Sequence, residues 1–303
     1  MVDCAFIFPG QGAQYVGMGK ALYEKAPYGK IFENANRILG YDLAQICFEG
    51  PSEKLTQTQY SQPAIFVTSV AVLKFLQESG QNPYRPKAAC GLSLGEYTAL
   101  VASGVLSFED ALRAVHERGR LMEQASEVTP GTLLAIFGLP LEKVEELCRA
   151  SGTEIANLNC PGQIVVSGRL GDIGKVSEAA KEAGAKKTFR LEVSGPFHSR
   201  FMKEAGTALE KVLQGLHFET PQIPFMSNVT ARFEGDIVQI RRNLVRQISE
   251  TVLWEQSIRF LAAQRIRQFV EIGPGKVLSG LNRKIDPSLE THHIESPEEI
   301  GVR

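Results

Sequence analysis

The stretch "KAACGLSLGEYTAL" (residues 87–100) carries the strongest signal in the sequence. Its first four residues form a short apolar run typical of a strand that is covered on both faces. A G-x-S-x-G frame follows, with Ser93 between Gly91 and Gly95, and then a helix-forming run to Gly104. This order predicts a strand-to-helix turn so sharp that the Ser93 side chain projects as a nucleophile. A bare G-x-S-x-G occurs often, so on this motif alone a glycine-flanked turn with a capping serine remains open.

The composition is that of an ordinary globular protein. The chain has 303 residues, 43% hydrophobic and 22% charged, with a formal net charge of −1. This charge predicts neither a nucleic-acid binder nor a membrane binder, and no apolar run is long enough to span a bilayer. The N-terminus lacks the basic segment and long apolar run of a signal peptide. The five cysteines are scattered, odd in number and without C-x-x-C spacing, which indicates reduced thiols in a cytoplasmic protein.

Strands alternate with helices along most of the chain, which predicts a mostly parallel sheet. The predicted strands outside the middle of the chain are 4–8, 87–90, 223–229 and 268–272. The main predicted helices are 18–40, 42–48, 61–80, 93–104, 107–125, 199–215 and 276–285. The polar tail from Asp286 is expected to be loosely ordered.

Residues 128–196 have a different pattern. They run strand, helix, strand, strand, helix, strand, which is the order of a ferredoxin-like unit. The predicted organisation is therefore a large α/β subdomain, formed by residues 1–127 and 197–303, with a small subdomain inserted at 128–196. Ligands of parallel sheets bind beyond the carboxyl ends of the strands. Ser93, Gln11 and Gly273 all follow strand ends, so one cleft could hold all three.

A serine nucleophile needs a base, and His198 is the best placed of the five histidines. It follows a strand, a glycine and a proline in "EVSGPFHS", although a histidine without a role at a helix start stays open. His292 and His293 are expected to be a solvated pair in the tail. No aspartate or glutamate stands out as the third member of a triad, so a backbone carbonyl is the expected partner of the imidazole.

Arg118 falls at the edge of the apolar stripe of the 107–125 helix, which centres on Val115. An arginine turned inward is costly unless an anion meets it. Two explanations stay open, an internal ion pair with a glutamate and a fork for a substrate carboxylate. The loop "FPGQGAQYVGMG" (8–19) lacks the spacing of a nucleotide-binding loop. Its glycines could instead bring an N–H near a reacting carbonyl, where the N–H of Leu94 would complete an oxyanion hole.

Taken together, these motifs resemble the malonyl-CoA:acyl carrier protein transacylase family. The resemblance covers nearly the whole chain and includes "FIFPGQGAQYVGMG", "SQPA", "GLSLGEYTAL", "ERG", "NCPGQIVVSG", "SGPFHS", "SNVTA" and "EIGPGKVLSGL". It implies an α/β-hydrolase-like core with a parallel sheet that carries an inserted ferredoxin-like (βαββαβ) subdomain. It also implies transfer of a malonyl group from malonyl-CoA to the phosphopantetheine thiol of acyl carrier protein, for fatty-acid or polyketide chain extension.

The resemblance implies a role for each candidate residue. Ser93 would attack the malonyl thioester, with His198 acting first as base and then as acid. Arg118 would hold the malonyl carboxylate. The backbone N–H groups of Gln11 and Leu94 would stabilise the tetrahedral oxyanion.

Further family features concern orientation and selectivity. Main-chain carbonyls orient the histidine in this family, and "SETVLWEQS" would supply one near Leu253. In relatives, leucine after the nucleophile and phenylalanine before the histidine accompany malonyl preference, and this chain has Leu94 and Phe197. Phe197 would crowd a methyl group on the α-carbon of methylmalonate. The family usually has histidine where this chain has Leu92, a position expected to be buried under the elbow.

The expected partners are malonyl-CoA and an acyl carrier protein that docks transiently; we expect a monomer, with no metal and no cofactor. Because such carrier proteins are acidic, a local basic surface is expected despite the near-zero net charge. Its candidates are Lys186, Lys187, Arg190, Arg200, Lys203, Arg283 and Lys284, with scattered solvated charge as the alternative. Two other functions stay open: a thioesterase-type serine hydrolase, and a non-catalytic scaffold that binds carrier protein.

Overall fold

The computed structural model describes residues 1–80 and 82–299. This part of the chain forms ten strands: β1 (Val2–Phe8), β2 (Tyr84–Gly91), β3 (Gly131–Phe137), β4 (Glu154–Cys160), β5 (Gln163–Arg169), β6 (Lys187–Arg190), β7 (Phe225–Ser227), β8 (Arg232–Glu234), β9 (Gln268–Ile272) and β10 (Glu290–Ile294). Its helices are α1 (Lys20–Tyr23), α2 (Gly29–Leu39), α3 (Leu43–Glu49), α4 (Ser52–Thr56), α5 (Thr58–Glu78), α6 (Gly95–Ala102), α7 (Phe108–Val128), α8 (Leu141–Ser151), α9 (Leu170–Glu182), α10 (Lys203–Gln214), α11 (Ile237–Gln247), α12 (Trp254–Ala263) and α13 (Val277–Ile285), with 3₁₀ turns at Arg200–Met202 and Pro297–Glu299.

The larger sheet has six strands in the order β10-β9-β1-β2-β7-β8. Every neighbouring pair is parallel except the hairpin formed by β7 and β8. The last five residues of β1, "CAFIF", are buried in succession, because helices cover both faces of the sheet. The predicted mostly parallel sheet is confirmed. The carboxyl ends of β1 and β2 lie side by side at the same edge of this sheet.

The smaller sheet is antiparallel, with strand order β4-β5-β3-β6. Its chain order, β3-α8-β4-β5-α9-β6, is the predicted ferredoxin-like unit. Helices α8 and α9 pack on one face, where Leu134, Val144 and Val176 are buried. The opposite face, which includes Leu133 and Val165, turns toward the larger sheet. The subdomain limits at 128 and 196 stay a prediction.

Several predicted elements have different bounds in the structure. The predicted helix over 18–40 is split into α1 and α2, and the break contains Pro27, which has no N–H to donate. The predicted strand over 223–229 shrinks to β7 and is followed by a hairpin that the sequence pattern did not indicate. Helix α7 begins where expected, because Ser107 Oγ accepts from the N–H of Asp110 at 3.0 Å.

The expectation of a loosely ordered tail is wrong for its described part. Strand β10 pairs in parallel with β9 over five residues, from Glu290 opposite Gln268 to Ile294 opposite Ile272. It lies at the edge of the sheet, and burial increases along it from Glu290, which is exposed, to Ile294, which is buried; the edge position explains its polar sequence. Residues 300–303 of the predicted tail lie outside the described residues.

Two further findings concern the chain as a whole. Each of the five cysteines is a buried free thiol. Within the described ranges, no helix has the length and apolar character needed to cross a bilayer.

The glycines around Ser93 are required by close backbone contacts. A Cβ on Gly95 would lie 2.1 Å from the carbonyl oxygen of Phe8, so the start of α6 packs directly on the end of β1. We expect Gly95→Ala to lower the free energy of unfolding by about 1–3 kcal/mol, because backbone atoms cannot give way to the methyl group. Chemical denaturation would measure this change.

Gly174→Ala is the matched control for that variant. Gly174 lies within α9 and a Cβ there has no atom within 4 Å. Alanine is the better helix former, so this variant is expected to lose no stability. Equal stability of Gly95→Ala and the wild type would contradict the packing argument.

Candidate active site

Ser93 occupies a strained turn between β2 and α6. Its φ of 50° lies in the left-handed region that non-glycine residues rarely adopt. The side chain of Asn228 holds the turn on both sides: Oδ1 accepts from the Ser93 N–H at 2.7 Å, and Nδ2 donates to the Gly91 carbonyl at 2.7 Å. The hydroxyl of Ser93 does not cap α6. The predicted elbow is therefore confirmed, and the capping alternative is wrong.

His198 reaches Ser93 from the loop between β6 and α10. Its Nε2 lies 2.8 Å from Ser93 Oγ, and its Nδ1 lies 2.7 Å from the carbonyl oxygen of Gln247. A carbonyl can only accept, so Nδ1 carries the hydrogen and Nε2 presents a lone pair to the hydroxyl. This arrangement lets Nε2 accept the Ser93 proton. The position therefore favours a base over a histidine that merely begins a helix.

The carbonyl that orients His198 is that of Gln247, and the prediction of Leu253 is wrong. Gln247 is the last residue of α11, where carbonyls lack partners within the helix and can accept from other groups. The Leu253 carbonyl instead accepts from the N–H and the hydroxyl of Ser257, at 3.0 and 2.8 Å. The carbonyl of Glu250, inside the predicted segment, also faces the ring and favours its protonated form.

Burial, followed by the Arg118 guanidinium, lowers the pKa of His198 to about 4, against the opposing pull of its carbonyl partners. The imidazole is therefore neutral at physiological pH and able to act as a base.

The low-pH side of the pH–rate profile should report the pKa of His198. For the acylation of Ser93 that the family resemblance implies, we expect kcat/KM for an acyl thioester without a carboxylate to be level above pH ~5 and to be halved near pH 4, because only the neutral imidazole of the free protein accepts a proton. Rapid-quench measurements between pH 3.5 and 8 would give the profile. A midpoint near the ordinary histidine value would contradict the assignment, provided that circular dichroism shows a folded protein throughout.

Arg118 is buried, with 1% of its surface exposed, and lies beside the nucleophile. Its Nη1 donates to Gln62 Oε1 at 2.7 Å, while its Nη2 donates to Gln247 Oε1 and to Ser93 Oγ, each at 2.9 Å. Its Nε has no partner, and no carboxylate of residues 1–80 or 82–299 lies within ion-pair distance. The internal ion pair with a glutamate is therefore wrong. The guanidinium is held by neutral oxygens in a place where an anion could reach it.

The loop after β1 lies against the elbow. A Cβ on Gly10 would lie 2.5 Å from the carbonyl oxygen of Leu92, so only glycine allows this approach. Gln11 and Leu94 line the same cleft as Ser93, and the structure gives neither of their N–H groups an acceptor within the described chain. Both donors are thus available to a reacting carbonyl oxygen.

The cleft has a volume of about 260 Å³ and lies between the two sheets. Phe197 is buried against it beside His198. Leu92 lines the cleft and also packs against the core cluster that contains Cys90, but it is only half-buried, so the expectation that it is buried is wrong. Gly273 does not line the cleft; a Cβ there would lie 2.2 Å from Ser69 Oγ and 3.1 Å from Pro9, behind the loop after β1.

Other predicted positions have outcomes of their own. The His293 side chain is 7% exposed and lies 3.2 Å from the Gly273 carbonyl, so the solvated pair is wrong for this residue. In the described part of the chain, no cluster of three or more His, Cys, Asp or Glu side chains could hold a metal ion. The contacts of Gln247 and Asn228 with the predicted site residues were not predicted.

A parallel α/β sheet that presents a serine to a histidine and an arginine, with a backbone carbonyl as the partner of the histidine, is the arrangement of a serine-dependent acyl-transfer enzyme. Residues 5–291 match the family model described as acyl transferase domain. The chain is 44% identical over 308 residues to the malonyl CoA-acyl carrier protein transacylase of Bacillus subtilis, covering 100% of this chain and 96% of the relative. The chain belongs to the acyl transferase family, among the malonyl CoA-acyl carrier protein transacylases.

Solved structures agree with this assignment. One is a malonyl transacylase in complex with its type II polyketide synthase acyl carrier protein, AntF; it has a TM-score of 0.95 and 37% identity, over 99% of this chain and 98% of that chain. Another is an acyl carrier protein S-malonyltransferase of Vibrio cholerae, with a TM-score of 0.92 and 39% identity over 97% of both chains. The predicted fold class is confirmed.

Proposed function

We propose that the protein transfers a malonyl group from malonyl-CoA to the phosphopantetheine thiol of acyl carrier protein, through an ester on Ser93. The observation that carries this proposal is Arg118, which is buried beside the nucleophile and has no carboxylate partner among the described residues. A buried guanidinium is stabilised by an anion, and malonyl-CoA brings a carboxylate one carbon away from its thioester carbonyl. The names of the relatives support the same donor and acceptor.

The first half-reaction forms the ester. The malonyl carboxylate binds Arg118, which places the thioester carbonyl at Ser93 Oγ. The hydroxyl proton passes to His198 Nε2 as Oγ bonds to the carbonyl carbon, and the N–H groups of Gln11 and Leu94 hold the oxyanion. The carbon–sulfur bond then breaks, and the proton on His198 leaves with coenzyme A as its thiol.

The second half-reaction reverses these roles. The phosphopantetheine thiol gives its proton to His198 Nε2 and attacks the ester carbonyl. The oxyanion again accepts from the two N–H groups, and the bond to Ser93 Oγ breaks as His198 returns the proton. Both steps move one proton and one acyl group and involve no oxidation or reduction, so the proposal includes no cofactor.

Mass spectrometry of the intact protein tests the proposal against a thioesterase. Incubation with malonyl-CoA should leave a malonyl adduct on Ser93, and added holo acyl carrier protein should remove it and gain the same mass. Release of free malonate without a lasting adduct would instead indicate a hydrolase. Ser93→Ala should form no adduct; transfer at the wild-type rate by this variant would exclude Ser93 as the nucleophile, and a wild type that neither forms an adduct nor transfers the acyl group would support the scaffold alternative.

The basic surface remains a prediction that the second half-reaction can test. The seven candidates are exposed, but Arg200 forms an ion pair with Glu154. Lys284 is the best placed, since its Nζ lies 3.5 Å from Oε1 of Gln163, which lines the cleft. We expect Lys284→Glu to raise the KM for carrier protein about 3- to 10-fold at low salt, because reversal of a charge at the edge of an interface slows association.

Lys175→Glu is the matched control for that charge reversal. Lys175 lies on α9, which packs on the face of the small sheet opposite the cleft. This variant should keep the KM for carrier protein. An unchanged KM in Lys284→Glu, measured with malonylated enzyme at several salt concentrations, would eliminate this residue from the docking surface.

A further inference from the structure

Glu96 is a buried carboxylate that the transfer steps do not use. It lies in the first turn of α6, three residues after the nucleophile, with 1% of its surface exposed. Its Oε1 accepts from the backbone N–H of Asn228 at 3.0 Å, and its Oε2 accepts a short hydrogen bond from Nε2 of Gln247. Burial of a carboxylate away from water costs free energy unless hydrogen-bond donors compensate it. The donors that Glu96 contacts therefore indicate which groups it stabilises.

The side chain of Gln247 connects Glu96 to the site. Its Nε2 donates to the Ser93 carbonyl at 2.8 Å and to Glu96, while its Oε1 accepts from Arg118 Nη2 at 2.9 Å. A carbonyl and an ionised carboxylate can only accept, so the end of the amide that faces them must be the NH₂ group. The oxygen is thereby directed at Arg118. In the flipped amide, the NH₂ group would face the guanidinium, and two donors would oppose each other.

We propose that ionised Glu96 is a positioning residue: it fixes the orientation of the Gln247 amide, and through it the Arg118 guanidinium, so that Arg118 is ready to receive the malonyl carboxylate. This inference rests on the proposed malonyl transfer. It concerns the affinity for a charged acyl group and leaves the chemistry at Ser93 and His198 as described.

Electrostatics make this device sensitive to pH. The charged or titratable groups that face Glu96 are Arg118 on α7, Tyr97 beside it on α6 and Cys90 on β2. Burial raises the pKa of Glu96 to about 7, against the pull of its hydrogen-bond donors and of Arg118. A protonated carboxyl group carries its own hydrogen and no longer needs a donor at each oxygen. Its hydrogen bond to the Gln247 amide therefore weakens as the pH falls through this value. The kcat/KM for malonyl-CoA should therefore rise with pH around 7.

Glu96→Gln tests the proposal because it keeps the shape of the side chain and reverses one end from acceptor to donor. We expect its kcat/KM for malonyl-CoA to fall about 10- to 100-fold, mostly through KM, because a buried donor loses its acceptor. The kcat/KM for acetyl-CoA, which has no carboxylate for Arg118, should change less than threefold. The rise in kcat/KM around pH 7 for malonyl-CoA should be present in the wild type and absent from the variant.

A double-mutant cycle with Gln247→Met tests the route through the amide. In the Gln247→Met background, Glu96→Gln should not lower the ratio of malonyl to acetyl activity any further. Additive effects on this ratio would show that Glu96 acts by another route and would overturn the inference. Equal KM values for malonyl-CoA in the wild type and a folded Glu96→Gln variant would do the same.

The wild-type profile keeps the inference testable if Glu96→Gln does not fold. A kcat/KM for malonyl-CoA that is level between pH 5.5 and 8.5 would overturn it, while a rise around 7 for malonyl-CoA but not for acetyl-CoA would support it. Failure of the proposed function would be distinguishable, because the wild type would then form no malonyl ester on Ser93 at any pH.

Discussion

His198→Ala is expected to form the malonyl ester about 10⁴-fold more slowly than the wild type. The imidazole Nε2, 2.8 Å from Ser93 Oγ, is the group that can accept the hydroxyl proton, and Arg118, the other contact of Oγ, can only donate. Without the imidazole, the proton must pass to water from a hydroxyl with a high pKa. Single-turnover loading with malonyl-CoA, followed by mass spectrometry, would measure the rate.

His217→Ala is the matched control for this loss. The His217 side chain is 78% exposed and contacts Glu219 on the surface, so its removal should leave the loading rate unchanged. Loading of His198→Ala within tenfold of the wild-type rate would exclude His198 as the base. If either variant has a lower melting temperature, the rates are compared at a temperature well below the unfolding transitions of both variants.

The sequence was sufficient to predict which side chains the fold brings together at the cleft. Ser93 stands in a frame that requires a sharp turn, His198 follows a strand end, and Arg118 lies at the edge of an apolar stripe. Each of these signals is local in the sequence. The resemblance to one family was what indicated that the three residues belong to a single site. The strand order of both sheets agrees with the predicted architecture because the alternation of strands and helices leaves few possible connections.

The residues that hold these three side chains in place could not be predicted in the same way. Asn228 and Gln247 are neutral amides that bond to Ser93 from 135 and 154 residues away, and no periodicity marks such contacts. Glu96 follows a turn, where a glutamate is usually exposed, and only the packing of α6 on the sheet buries it. The carbonyl partner of His198 was misplaced by six residues, because it depends on where α11 ends.

Arg118→Ala is expected to lower kcat/KM for malonyl-CoA by about 10²- to 10³-fold, the range for loss of a buried pair between a guanidinium and a carboxylate. The kcat/KM for acetyl-CoA should stay within about tenfold of the wild type, because this thioester has no carboxylate to pair. A panel of acyl-CoA donors, run on both proteins, would measure the shift in selectivity. An equal loss for both donors would show that Arg118 serves the Ser93 hydroxyl, its neighbour at 2.9 Å, and not the acyl carboxylate.

Arg118→Lys separates charge from geometry in this pair. Lysine keeps the positive charge but has one ammonium group, so it cannot match a carboxylate with two parallel hydrogen bonds or reach Gln62 and Gln247 at the same time. Its malonyl activity should therefore lie between those of Arg118→Ala and the wild type. Full recovery with lysine would mean that charge alone selects the malonyl group. A loss as large as that of alanine would mean that the planar fork, held by its two glutamines, is what the carboxylate requires.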